Sequence, residues 1–528
     1  MTSTIFRHPF VRTNAVRLFW SGLVAAFALV VLWAFLQVYP YGYSLPDTGV
    51  YVLQSQQFSL LHFSYPDNYR PPMFALLLRV AGYASEPAVG VLLMHGLLFM
   101  INAALVALLC GEIFHSSRKG FLSGLLFILI EVFSMRILFY STVILSDTLY
   151  AHVVFAGTLL VAFALSRTTC SGIGLLGFFL LGLSCLVRPI GIVFLLMWVP
   201  ALCLLIIRTR RSPYVRSTMF WYAAALMLLV MPPGLWHVRN GILMGEWHGY
   251  TQKGIHFLYK TEELIDKNTA LVDDANLNAD LLSTVFSMRA GHVMHTDISR
   301  EILKKTGNTL TSDSTLHDVY DVDIAAMSLA RRIMYQHPYG YVRIVLRDAA
   351  ALLSPRWIAG MEYLKFRENP NELYAQLILM NADFFRTLHP HGRPAVLTYD
   401  GRFARTFQYL CCENPVQRRL HSLATSTAVT MFVLAILCTY FIGYFRFRHV
   451  SFVHTPVSQA VARFALIVLS TVVIHTLVTA ISIPPESRFA LPSSMPIHAV
   501  GVIVVVTLFD AGLRSLRRRI VQPKETLS

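Results

Sequence analysis

The chain has 528 residues, of which 55% are hydrophobic and 14% charged, and its formal net charge is +15. A mean hydropathy of +0.55, with several apolar runs of roughly 20 residues, predicts a polytopic membrane protein and excludes a soluble globule. The basic excess lies in short clusters at the ends of apolar runs, as the positive-inside rule describes, and this argues against a nucleic-acid partner.

The first 240 residues are predicted to form a module of about seven spans. Arg7, Arg12 and Arg17 precede the first apolar run, so we expect a retained first helix and a cytoplasmic N-terminus. The stretch 172–207 is too long for one helix, and Arg188-Pro189 divides it into a hairpin whose tip lies outside. The predicted spans are 18–38, 88–110, 121–140, 144–167, the two arms of 172–207, and 218–236.

The remainder divides into an insertion and a C-terminal module. Residues 241–420 are polar and turn-rich, and we expect a mainly α-helical cap on the outer face. Within it, 341–353 is apolar but carries three charges, which predicts an interfacial helix. Residues 421–528 hold about three spans, the last ending at a basic cluster, so both termini are predicted to be cytoplasmic. The predicted fold class is an all-α membrane protein of about ten transmembrane helices.

Common cofactor motifs are missing from the sequence. There is no CxxC pair, no HExxH and no Walker loop, so a structural zinc site and direct use of ATP are not expected. The cofactor is therefore left open, including a divalent metal ion.

An acidic residue just beyond the first span is the most informative candidate. Asp47 and Tyr51 are four residues apart, so a helix would place them on one face. A carboxylate at a membrane face indicates chemistry as well as anchoring. The Ser44-Leu-Pro-Asp47 stretch also fits a capping box, and this structural interpretation stays open at the sequence level.

The other polar candidates fall on the same predicted side of the membrane. Asp147 is predicted near the outer end of the fourth span, where a helix dipole also favours an acid. Arg188 lies between two apolar arms of the predicted hairpin, where a charge is costly unless it is paired or hydrated. The remaining candidates also have structural interpretations. Arg70 and Arg239 could be interfacial arginines that extend to the membrane surface, and Glu486 with Arg488 could be a local ion pair.

The order of these motifs resembles the GT-C superfamily of integral-membrane glycosyltransferases. The closest likeness is to the bacterial branch similar to aminoarabinose transferases and protein O-mannosyltransferases. The elements that carry it are Asp47 with Tyr51, Arg70-Pro-Pro, Ser146-Asp147-Thr-Leu-Tyr150, Arg188-Pro189, Pro232 to Arg239, and Glu486-Ser-Arg488-Phe-Ala-Leu-Pro. Two departures are Phe489 in place of a frequent Tyr, and a single acid where the protein-mannosylating subgroup has a pair.

The resemblance implies an inverting transfer from a polyprenyl-phosphate sugar to a hydroxyl of a glycan, lipid or protein. Asp47 and Asp147 are then the candidate catalytic residues, with Asp47 as general base and Asp147 orienting the acceptor or holding a divalent ion. The implied substrate-binding residues are Tyr51, Arg70, Arg188, Arg239, Glu486 and Arg488, because arginine suits phosphate. The implied location is a bacterial inner membrane.

Two other functions are compatible with the same sequence. A flippase of lipid-linked glycans would line a path with charges near mid-span, whereas most charges here lie at one face. A polymerase or ligase would place key basic residues and histidines in the large loop, where His337, His389, His391 and Arg393 occur.

Overall fold

The computed structural model describes residues 9–38, 51–52, 54–55, 70–81, 89–134, 137, 141, 145–166, 172–197, 215–244, 253–261, 264, 316–353, 456–482 and 491–521. Regular structure in those ranges is entirely helical, which confirms the predicted all-α class. Numbered within those ranges, the helices are α1 (Pro9–Val38), α2 (Pro72–Val80), α3 (Val89–Ile113), α4 (Ser117–Ser134), α5 (Ser146–Ser166), α6 (Gly172–Val187), α7 (Val215–Met244), α8 (Lys253–Thr261), α9 (Leu316–Gln336), α10 (Pro338–Leu353), α11 (Pro456–Ser482) and α12 (Leu491–Val521), with a 3₁₀ helix at Pro189–Met197.

Several of these helices fit a membrane. Within the described ranges, four helices are long and apolar enough to cross a bilayer, and two shorter apolar helices accompany them. The four spans are Gly90–Ile113, Ser146–Ala164, Gln459–Ser482 and Pro492–Arg514, and the shorter helices are Ala15–Val31 and Gly172–Val187. Of the three spans predicted within 421–528, the first, near 423–444, lies outside the described residues.

Two segments differ from the predicted pattern. The second arm of the predicted hairpin, where it is described, is a 3₁₀ helix rather than an α-helix. The seventh span was predicted to end at 236, but α7 continues through Pro232 and Pro233 and beyond that position to Met244. The loss of backbone hydrogen bonds at the two prolines is therefore tolerated inside this helix.

Helix α5 lies at the centre of the bundle. It packs against α3, α6, α11 and α12, and its side chains are buried from Ser146 through Ala164. Rings of neighbouring helices interlock along it, as in the stacked Phe127–Phe155 pair at 5.4 Å between α4 and α5. A residue in the first turn of α5 is consequently surrounded by other helices.

One end of the bundle, called here the Arg17 end, is held by ion pairs. Arg17 of α1 pairs with Glu112 at the end of α3. Lys119 at the start of α4 lies 2.6 Å from Asp510 of α12. Twelve residues later on α4 and twelve residues earlier on α12, Glu131 lies 2.9 Å from His498. Because twelve helical residues rise about 18 Å, these two contacts define a single antiparallel register between α4 and α12.

The described part of the insertion is helical, as predicted, and lies at the opposite end of the bundle, called the Asp147 end. Lys260 of α8 and Asp348 of α10 form a buried ion pair at 2.5 Å. The Tyr341 hydroxyl of α10 donates to the carbonyl oxygen of Ile481, one residue before α11 ends, at 2.7 Å. Burial raises the pKa of Tyr341 to about 12, so this donor stays protonated at neutral pH.

Glycines allow α5 and α6 to approach closely. A Cβ at Gly177 would lie 2.8 Å from the Val161 backbone nitrogen and 2.9 Å from the Gly157 carbonyl oxygen, which is shorter than side chains tolerate. Both neighbours are backbone atoms, so they cannot rotate away. The separation of α5 and α6 is therefore set by small residues, as at many helix contacts in membranes.

Gly177→Ala should lower the stability of the protein. The added methyl group overpacks a backbone contact, which typically costs about 1–3 kcal/mol, and this outweighs the better helix propensity of alanine. The thermal unfolding midpoint in detergent measures the effect. Gly512→Ala is the matched control, because no atom lies within 4 Å of its Cβ position. Equal midpoints for both variants would contradict this account of the contact.

Candidate functional site

A buried ion pair joins α5 to the end of α6. Arg188 Nη1 donates to Asp147 Oδ1, and the two side chains are 12% and 4% exposed. The predicted candidates Asp147 and Arg188 are thus brought together, although they are 41 residues apart in sequence. Asp147 also lies in the first turn of α5, where the helix dipole favours a negative charge. Pairing explains how Arg188 is accommodated between two apolar segments.

The α-helix is interrupted at Pro189, and this interruption fixes the position of Arg188. Pro189 carries no N–H and its ring disfavours the preceding helical turn; here α6 ends at Val187 and the 3₁₀ helix starts directly after Arg188. The Gly191 nitrogen donates to the Arg188 carbonyl at 2.9 Å. A Cβ at Gly191 would lie 2.6 Å from the Cys185 nitrogen, so the chain folds back against α6 as the predicted hairpin requires.

The first loop is attached to the start of α5 through Tyr51. Its hydroxyl shares a 2.7 Å hydrogen bond with the Ser146 hydroxyl, next to Asp147. The Arg70 guanidinium carbon lies 5.3 Å from the centre of the Tyr51 ring, a cation–π distance. Phe74 of α2 meets the same ring edge-on at 5.0 Å. The structure therefore assembles Tyr51, Arg70, Asp147 and Arg188 at one end of the bundle.

Three predicted site residues lie outside the described ranges, and one lies elsewhere on a described helix. Asp47, Glu486 and Arg488 are outside, so their assignments stay predictions. Arg239 lies one turn before the end of α7, with its guanidinium carbon 4.6 Å from the centre of the Trp236 ring. Its assigned role in substrate binding is likewise untested by these contacts.

A cluster beside the ion pair was missed by the sequence analysis. His475 of α11 stacks on Phe194 of the 3₁₀ helix at 6.1 Å and packs against Tyr150 at 5.9 Å. Its Nδ1 lies 3.4 Å from the hydroxyl of Ser493 at the start of α12. The cluster thus joins α5, the 3₁₀ helix, α11 and α12. The available signal was one imidazole within an apolar span.

A second polar layer lies between α3 and α5. His95 Nδ1 donates to the Ser141 carbonyl at 3.0 Å, so this buried side chain is a hydrogen-bonded core histidine. The Asn102 amide nitrogen lies 2.8 Å from His152 Nδ1 and 3.3 Å from the His152 carbonyl oxygen. Because a carbonyl oxygen only accepts, the amide nitrogen must face it, and His152 Nδ1 is then the acceptor in the first contact. These three side chains form buried polar contacts inside helices that read as apolar by mean hydropathy.

Metal ligation is not indicated where the structure describes the chain. Across those ranges, no three His, Cys, Asp or Glu side chains are grouped closely enough to hold a metal ion. The described partner of Asp147 is the cation Arg188, which balances its charge. Because several acidic candidates lie outside the described ranges, the cofactor stays open.

Comparisons with known proteins give one structural neighbour. No protein-family model matches the chain, and no curated protein matches it. Among solved structures, the chain is similar to ArnT from Cupriavidus metallidurans bound to undecaprenyl phosphate, with 14% identity, over 96% of this chain and 81% of that chain. The TM-score of 0.32 does not establish a shared fold.

The Asp147–Arg188 pair should behave as one coupled unit in a double-mutant cycle. Asp147→Asn or Arg188→Gln alone leaves a buried charge without its counterion, which typically costs about 3–5 kcal/mol. The double variant removes both charges and should recover part of that loss in the thermal unfolding midpoint.

Arg514→Gln serves as the control, because Arg514 is 49% exposed and pairs with Asp510 on its own helix. An exposed pair contributes little, so its midpoint should hardly change. Strictly additive losses in the Asp147 and Arg188 variants would contradict coupling between them.

Proposed function

We propose that the protein is a GT-C-like membrane glycosyltransferase that moves a sugar from a polyprenyl-phosphate donor to an acceptor hydroxyl. The observation that supports this most directly is the buried Asp147–Arg188 pair at one end of a membrane bundle, with Tyr51 and Arg70 beside it. Ionisable residues retained in a membrane domain usually serve function. The ordered sequence motifs supply the reaction class.

The chemistry is a single displacement with inversion at the sugar C1. The acceptor oxygen forms a bond to C1, the bond from C1 to the phosphate oxygen breaks, and the acceptor proton passes to a carboxylate. In this proposal Asp47 is that base. Asp147 orients Arg188, and also the acceptor. The products are the glycosylated acceptor and a polyprenyl phosphate.

Arginine contributes most where negative charge develops. The donor phosphate is a diester with one negative charge, and it leaves as a monoester that gains charge as the C1–O bond breaks. A guanidinium near that oxygen therefore binds the transition state more strongly than the ground state. We assign this role to Arg188, with Arg70 as a second cation, and propose Arg239, Glu486 and Arg488 as further contacts.

The proposed setting is the outer face of a bacterial inner membrane, with both termini in the cytoplasm. Helix α10 of the insertion contacts the Asp147 end through the hydrogen bond from Tyr341 to Ile481, which supports a role for the insertion in shaping the acceptor site. Glycan, lipid and protein acceptors all remain within the proposal, as does a divalent metal ion.

The two alternative functions predict different results in one assay. Purified protein is mixed with a polyprenyl-phospho-monosaccharide labelled in the sugar and with candidate acceptors. A glycosyltransferase releases polyprenyl phosphate and labels the acceptor. A flippase moves the donor between leaflets without breaking it, and a polymerase or ligase requires a lipid-linked oligosaccharide. Absence of transfer from every monosaccharide donor, with transfer from an oligosaccharide donor, would contradict the proposal.

Asp47→Asn separates the catalytic interpretation from the capping interpretation. Asparagine is itself a good residue at a helix start, so a capping role predicts normal folding and ordinary turnover. A general base predicts normal folding and donor binding but roughly 10²-fold slower transfer or more.

Arg188→Lys is the companion variant in the same assay. It keeps the charge but replaces a planar fork by a point charge, and it should also impair transfer.

Ordinary turnover in a well-folded Asp47→Asn protein would remove Asp47 from the mechanism.

A further inference from the structure

The hydroxyl of Tyr150 is buried beside the ion pair and lacks a hydrogen-bond partner among the described residues. Tyr150 lies three residues after Asp147 on α5, so the two side chains share a face of the helix. The side chain is 1% exposed. Its ring is packed between Phe194, at 6.4 Å, and His475, at 5.9 Å.

A phenol in this position needs an explanation, because the ring packing does not require the oxygen. Phenylalanine would make the same ring contacts without the polar atom. A buried polar group left without a partner costs about 1–3 kcal/mol, and buried tyrosine hydroxyls normally find a partner. An unsatisfied group in a native protein calls for an explanation, such as a functional role, a bound water or an ion.

Two hydroxyls at this end of α5 and α6 have other described partners. The Ser146 hydroxyl bonds to Tyr51, and the Ser184 hydroxyl donates to the Leu181 carbonyl at 2.6 Å. Asp147 and Arg188 are bonded to each other. The Tyr150 hydroxyl, three residues after Asp147 on the same face of α5, is therefore a polar group near this ion pair without a described partner of its own.

We propose that Tyr150 is a substrate-binding residue whose hydroxyl donates to a phosphate oxygen of the lipid-linked donor, alongside Arg188. This inference rests on the proposed function and adds a residue to its phosphate site. A phenol donates to an anionic oxygen without adding charge, and such charge-assisted hydrogen bonds are stronger than neutral ones. The ligand then supplies the partner that the folded chain lacks.

The test compares Tyr150→Phe with the wild-type full-length protein, using undecaprenyl phosphate as the probe. The thermal unfolding midpoint without lipid should stay the same or rise, because an unsatisfied polar atom is removed. The dissociation constant for undecaprenyl phosphate should rise about 10- to 100-fold, the range expected for a lost hydrogen bond to a charged group. Binding of undecaprenol, which has no phosphate, should not change.

Thr158→Val is the matched control on the same helix. The Thr158 hydroxyl is also buried, with no partner in the part of the chain that the structure describes. It lies eleven residues beyond Asp147, about 16 Å along the helix axis. Removal of this hydroxyl should leave the binding of undecaprenyl phosphate unchanged. The thermal unfolding midpoint should stay the same or rise slightly.

The possible outcomes distinguish this inference from the proposed function. A lower midpoint for Tyr150→Phe without lipid overturns the inference, because the hydroxyl then has a structural partner such as a buried water. Unchanged binding in Tyr150→Phe with strong loss in Arg188→Ala overturns the inference but preserves the proposed phosphate site. Unchanged binding in both variants overturns both. Equal loss in Thr158→Val shows a non-local effect and also overturns the inference.

Discussion

A carboxylate and a guanidinium removed from water must remain paired, and the organisation of the Asp147 end follows from that constraint. Asp147 lies on the central helix α5, and Arg188 follows α6. Deeper in the bundle, α5 and α6 approach closely at Gly157 and Gly177, where small residues set the separation of the two helices. The same two helices carry the ion pair at their ends, and Tyr51 of the first loop bonds to Ser146 beside it.

Contacts at the Arg17 end hold the helices that carry the Asp147 end in a defined register. At the Arg17 end, ion pairs join α1 to α3 and α4 to α12, and the buried contact between Glu131 and His498 continues the same register. The Glu131 and His498 side chains are 1% and 2% exposed and lie between packed helices. A Glu–His contact enclosed in this way serves helix packing better than it would serve a transport path. Rigid helices then present the polar residues of the opposite end in fixed positions.

Much of the fold could be predicted from hydropathy and from proline positions. The span predicted at 144–167 is α5 at Ser146–Ser166, and the predicted break at Arg188-Pro189 is where α6 ends. Hydropathy succeeds here because backbone groups in lipid must bond within their own helix, so apolar length and helix length coincide. The extension of α7 from the predicted end at 236 to Met244 was not predictable in this way, since His237, Arg239 and Asn240 interrupt the apolar run there.

Several residues of the candidate site could be selected from the sequence, but the contacts between them could not be predicted. Asp147 and Arg188 were both candidates, yet their pairing depends on how two helices pack, which residue spacing does not encode. Tyr150 and His475 were not selected as site residues. Their significance comes from an unpartnered oxygen and from contacts among four elements.

The position of the lipid phosphate tests the central claim most directly. A structure of the purified protein with undecaprenyl phosphate would locate the phosphorus atom. The account predicts a phosphate at the Asp147 end, with an oxygen within hydrogen-bond distance of the Arg188 guanidinium. A phosphate bound at the Arg17 end, or one that leaves Arg188 in contact with Asp147 alone, would contradict it.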